Sequence, residues 1–111
     1  MSPTGFVSAY PLTRAGITQN VGFSMPGAYA LGDIDENDAF YVRRVGRSDN
    51  DVGGRLRDFL GQYQAFMFSY YRSAREAYVK ECELYHAFNP HDNDIHPDSP
   101  ENAMVICLWC R

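Results

Sequence analysis

Long apolar runs are missing from this sequence: nowhere does it reach the roughly 18 consecutive hydrophobic residues of a membrane-crossing helix. The first residues hold neither the basic start nor the apolar core of a secretory signal, so a soluble cytoplasmic protein is the expectation. Cysteine is scarce and odd in number, three in 111 residues, which argues against a disulfide framework and leaves reduced thiols or metal ligands. Positive charge is also short. The formal net charge of -4 argues against a uniformly basic nucleic-acid binder, because phosphate affinity rests largely on Lys and Arg releasing counterions.

What is present describes a chain that folds. Hydrophobic residues make up 45% and charged residues 22%, ordinary globular usage, and 111 residues enclose one modest core rather than two. The few basic residues are concentrated. Seven of the ten (Arg43, Arg44, Arg47, Arg55, Arg57, Arg72, Arg75) fall between positions 43 and 75, whereas acidic residues gather at 33–38 and 92–101, so one basic face on an acidic protein is expected.

Residues 1–24 carry Pro, Gly, Thr and Ser with only short apolar pairs, and read as an irregular extension with at most one strand near Phe6 to Tyr10. Residues 27–31 and 39–45 turn to β-branched and aromatic types around an acidic Asp33 to Asp38 tip, which predicts a hairpin. Asp49, Asn50 and Asp51 are N-cap types ahead of Val52, Leu56, Phe59 and Leu60, at helical spacing. Gln64 to Tyr71 predicts a third strand. Ser73 with Glu76 three residues on has the capping-box pattern, and opens a helix to about Phe88 that Pro90 stops. Met104 to Trp109 is the last apolar stretch and predicts a short strand.

Ala74, Ala77, Tyr78, Leu84, Tyr85 and Phe88 share one face of that helix, and position 81 interrupts it with Glu. A carboxylate there is turned inward and must meet a cation, a metal or hydrogen-bond donors, because an unpaired buried charge costs several kcal/mol. An Arg partner is the plainer alternative, a metal the functional one.

Taken in order, Gly27-Ala28-Tyr29, Val45-Gly46-Arg47-Ser48, Arg55-Leu56, and Glu81 with Leu84, Pro90 and Asn93 resemble the GIY-YIG nuclease family over about two thirds of the chain. The spacing of Glu81, Leu84, Pro90 and Asn93 resembles that of the nuclease subunit of nucleotide excision repair. The resemblance implies an α/β domain over 25–111, a small three-stranded antiparallel sheet flanked by helices, with the irregular extension before it and a short C-terminal strand. It implies a metal-dependent endonuclease acting on nucleic acid, DNA in the first instance.

By the same resemblance Tyr29, Arg55 and Glu81 are the catalytic residues. Glu81 holds a single Mg²⁺ or Mn²⁺, since a hard cation needs only one or two carboxylates and keeps several waters. Arg55 clamps a phosphate oxygen, and Tyr29 activates or orients water. Arg47, Arg44, Gly46 and Asn93 serve substrate binding, with ordinary alternatives beside each: a packed strand Tyr, a solvated turn Arg, a strand-end Gly, a loop-capping Asn. Three positions depart from the pattern: Arg44 where the second motif has Tyr, Ala28 where the first motif has a branched aliphatic, and Phe59 where relatives place Tyr or His. Arg44, Phe59 and the acidic balance favour a rival reading, a catalytically weak or inactive module that binds nucleic acid or a protein, with a zinc-stabilised interaction module as a third.

Cys107 and Cys110 form a Cys-x-x-Cys pair, and Cys82 with His86 stand four apart on the Glu81 helix, a set that suffices for a structural Zn²⁺. His91 and His96 are alternates to His86 or simply solvated. The sequence is silent on oligomeric state.

Overall fold

A computed structural model describes residues 4–100 and 106–110 of the chain. Seven elements follow in order: β1 (Tyr10–Pro11), α1 (Arg14–Asn20), β2 (Gly27–Ile34), β3 (Phe40–Ser48), α2 (Val52–Arg57), β4 (Ala65–Tyr70) and α3 (Ala74–Phe88). The strands make one sheet in the order β1-β4-β2-β3, with every pairing antiparallel. The α/β class with a sheet flanked by helices is as expected, but the sheet has four strands and not three.

The extra strand comes from the segment expected to be irregular. Thr13 caps α1 by accepting from the Gly16 N–H at 2.9 Å, and Tyr10 and Pro11 pair with Phe66 and Ala65. Only Ile17 and Val21 of this region stand at helical spacing, too few to announce a seven-residue helix, yet both are buried with Leu12. At the other end, Met104 and Val105 lie outside the described residues, and 106–110 form a turn in which the Cys110 N–H donates to the Cys107 carbonyl, so no strand is seen there.

β2 is covered on both faces, and alternation of side chains divides them. Tyr29 and Leu31 face one core with Leu12, Ile17, Val52, Leu56, Phe59 and Phe66, beneath α1 and α2. Ala28 and Ala30 face a second core with Phe6, Val45, Met67 and Leu84, beneath α3. Each fully buried Leu or Phe contributes about 1.5–3 kcal/mol relative to exposure.

The predicted helix starts hold, with changes of detail. Asp51 is the N-cap of α2, accepting from the Gly54 N–H at 3.1 Å, and α2 ends at Arg57. Ser73 caps α3, but the Glu76 carboxylate reaches back to the Arg72 N–H at 3.1 Å, one residue before the position a capping box uses. Asn89 ends α3 in the left-handed region with φ 43°.

β3 is an edge strand, and a side chain closes part of that edge. Asn93 Oδ1 accepts from the Val45 N–H at 2.8 Å, while Asn93 Nδ2 donates to the Val45 carbonyl at 3.0 Å. The Asp92 N–H donates to the Arg43 carbonyl beside it. Replacing Asn93 by Ala strands both groups of Val45 and is expected to cost about 1–3 kcal/mol. Urea unfolding should show a lower midpoint; an unchanged midpoint would mean the clamp contributes nothing.

Candidate active site

The pocket forms around the outer margin of β3, where the two faces of the sheet meet. Tyr29, Arg44, Gly46, Arg47, Asp49, Arg55, Glu81 and Asn93 line a cavity of about 390 Å³ with Val45 and Ser48. Arg55 comes from α2 and Glu81 from α3, on opposite sides of the sheet. Tyr29 and Gly46 are direct partners in the β2–β3 ladder. Having no side chain, Gly46 leaves the space that the Tyr29 ring fills: a Cβ there would lie 2.5 Å from Tyr29 Cζ and closer still to its hydroxyl. The gap brings a core phenol to the sheet margin.

Glu81 is 8% exposed and meets Arg47, whose Nη1 donates to Glu81 Oε1 at 2.6 Å. The same guanidinium donates through Nε to Asp49 Oδ1 at 2.7 Å and lies over the Tyr78 ring at 5.0 Å. Both the plainer expectation for Glu81, an Arg partner, and its inward orientation are therefore present. Burial pushes the Glu81 carboxyl above its usual range; Arg47 opposes this only in part, and the Asp49 charge adds to the rise. Arg47 is held above its ordinary value: burial disfavours its charge, but the two carboxylates outweigh that.

Tyr29, 2% exposed, has its phenol pushed up to about 12 by burial, against the opposing pull of Arg55. It stays protonated throughout the neutral range and meets the pocket as a hydrogen-bond donor. Arg55 is half exposed, bonds Asp58 at 3.2 Å and has its guanidinium 5.4 Å from the Phe59 ring centre. Arg44 lies over the same ring at 5.2 Å. Phe59, a departure from the nuclease pattern, thus serves as a shared aromatic platform for two guanidiniums, each worth about 0.5–1 kcal/mol at exposed sites.

Two tyrosines near in sequence do not enter the pocket. Tyr41 bonds Asp35 at the hairpin tip, and Tyr63 bonds Asp92 at 2.7 Å. Asp49 does enter it, and sequence reasoning read it only as a possible helix cap. Ser48 accepts from the N–H groups of Asn50 and Asp51, turning the chain sharply after β3, so Asp49 faces back onto Arg47. The signal was a carboxylate two residues after a motif Arg.

A second cluster lies at the far end of α3. His86, His96, Cys107 and Cys110 bring their ligand atoms within 4.8 Å of one another and can hold a metal ion. His96 takes the place expected for Cys82, which is fully buried with Tyr78 and Cys107, its thiol pushed up to about 12 by burial. His91 is exposed beside Asp92 and takes no part.

No helix among the described residues is long and apolar enough to cross a membrane. No family model, curated protein or solved structure matches the chain.

Proposed function

We propose that the β3 pocket hydrolyses nucleic-acid phosphodiester bonds with one divalent cation, as an endonuclease of the GIY-YIG type acting on DNA. The observation that carries this reading is the gathering of Tyr29, Arg55 and Glu81, drawn from three elements on two faces of the sheet, in one cavity with Arg44 and Arg47. Two cores must pack for that to happen, so the grouping is not a by-product of neighbourhood in sequence.

The donor set fits a hard cation. Glu81 and Asp49 converge on a single guanidinium, so the spot between them already selects positive charge, and one or two carboxylates suffice for Mg²⁺ or Mn²⁺ with its waters. Bound there, such an ion would stabilise negative charge developing on the phosphate and on the leaving oxygen. Arg55 and Arg44 lie over Phe59 at the pocket, Arg55 also paired with the exposed Asp58, and a planar guanidinium suits a two-pronged grip on non-bridging oxygens. Arg47 links the two carboxylates, and with a cation between them its guanidinium would be available to the phosphate. Tyr29, kept protonated, orients the attacking water by donating to it; service as a base would require a neighbouring cation to lower its pKa.

Supercoiled plasmid DNA with the purified chain in Mg²⁺ or Mn²⁺ should be nicked, and a chelator should stop it. Arg55→Ala should slow nicking about 100-fold, the scale for losing one charge-stabilising donor. The alternative is a catalytically weak or inactive module that binds nucleic acid or a protein, favoured by the Arg47–Glu81 pair and the protonated Tyr29. Absence of cleavage on DNA and RNA alike, with salt-sensitive binding retained, would establish that alternative and end the hydrolytic one.

A further inference from the structure

We infer that His86, His96, Cys107 and Cys110 form a closed four-ligand zinc site that fastens the C-terminal turn to α3. The set is drawn from three separate places: the last turn of α3, the loop after it and the turn at 107–110. Bond lengths of about 2.3 Å to sulfur and 2.0–2.1 Å to nitrogen imply tetrahedral edges of about 3.3–3.8 Å. Cys110 Sγ stands 3.4 Å from His86 Nε2 and 3.1 Å from His96 Nε2, close to those edges before any ion draws the ligands together.

The second shell is in place as well. His96 Nδ1 lies 2.8 Å from the Pro97 carbonyl, which can only accept, so Nδ1 carries a proton and Nε2, facing Cys110, is the nitrogen a metal would take. Tyr85 stands edge-on to both imidazoles, at 5.3 Å from His86 and 5.2 Å from His96, and limits their rotation. The Cys110 N–H donates to the Cys107 carbonyl, which curls the Cys-x-x-Cys turn so that both sulfurs face the histidines. Two thiolates and two neutral imidazoles neutralise a divalent ion, and each thiol that binds gives its proton to solvent.

Softness of the ligands separates this site from the β3 pocket. Two sulfurs and two imidazole nitrogens suit Zn²⁺, whereas Mg²⁺ or Mn²⁺ prefers the carboxylates at the pocket. Four protein ligands leave no open position, so the role is structural. Its reach extends inward: Cys107 packs on Cys82 and Tyr78, and the Tyr78 ring backs the Arg47 guanidinium. The assignment is independent of hydrolysis, since its readouts are metal content and ligand shell.

The test uses the full chain, purified under reducing conditions and supplied with Zn²⁺ or Co²⁺ after metal removal. One zinc per chain is expected, with X-ray absorption showing two sulfur and two nitrogen neighbours, and cobalt should give the intense visible bands of a tetrahedral thiolate site. His96→Ser and Cys110→Ser should each lose tight binding, while Cys82→Ala keeps it. A metal-free protein that takes up neither ion would overturn the assignment, as would a shell with three sulfurs, or full zinc retention in both ligand variants. Should the variants fail to fold, the ligand shell of the unaltered protein decides alone.

Discussion

Glu81→Gln is expected to reduce metal-dependent nicking by at least about 100-fold while leaving the fold in place. The substitution keeps size and an acceptor for Arg47 Nη1, and removes the charge that a cation would need. Its effect on stability has the opposite sign. Burial raises the Glu81 carboxyl in the folded state, so the native protein binds that proton more tightly than the unfolded chain does. Whatever stability the protonated form provides is complete below the ordinary value of 4.5 and is lost as pH rises through the elevated one. Gln does not titrate. The melting temperature of Glu81→Gln relative to the unaltered protein should therefore climb between about pH 4.5 and neutrality. A dead variant that is more heat-stable at pH 7 than at pH 4.5, relative to its parent, would mark Glu81 as a residue kept for function at a cost in stability. Undiminished nicking in Glu81→Gln would sink the hydrolytic reading.

Gly46→Ala should be nearly as damaging, for a steric reason. The added methyl would meet Tyr29 at its Cζ and hydroxyl, and the ring cannot retreat because it packs among Leu31, Leu56 and Phe59 in a closed core. Overpacking of this kind costs about 1–3 kcal/mol. Nicking should fall to the level of Tyr29→Phe, since either change removes the phenol from the pocket. Gly22→Ala makes a suitable control: nothing lies within 4 Å of the added carbon, and stability should stay within about 0.5 kcal/mol. Denaturant unfolding and plasmid nicking measured together would separate a displaced ring from a merely unstable protein. If Gly46→Ala matched the parent in both, the contact between Gly46 and Tyr29 would have no consequence.

Much of the framework was legible because its signals are local. Ser73 with its accepted Glu76 N–H, and the Asp51 cap, are each decided within four residues. The inward turn of Glu81 was legible for the same reason, as one charged residue on an apolar helical stripe. What the sequence hid depends on distant partners. α1 is short and nearly featureless, and exists because Ile17 and Val21 find Leu12 and Val52 in three dimensions. Asp49 and His96 belong to loops, where no period constrains direction, and their roles follow from the Ser48 turn and the Pro97 carbonyl. Cys82 was misplaced as a ligand for an instructive reason. Spacing put it one turn before His86 on nearly the same side of the helix, but it is fully buried with Tyr78 and Cys107 rather than at the exposed end.

The Asn93 clamp bears on how copies of this protein meet one another. An exposed strand margin is a template on which a second chain can stack, and the usual outcome is a fibril. Here the amide at position 93 behaves like one residue of a missing fifth strand and occupies the hydrogen-bonding groups of Val45. On the opposite side β1 covers Ala65 and Phe66 of β4, and one of its two residues is a proline without an N–H to give. The clamp shields the middle of β3, and loss of the single side chain at 93 should therefore raise the tendency to aggregate.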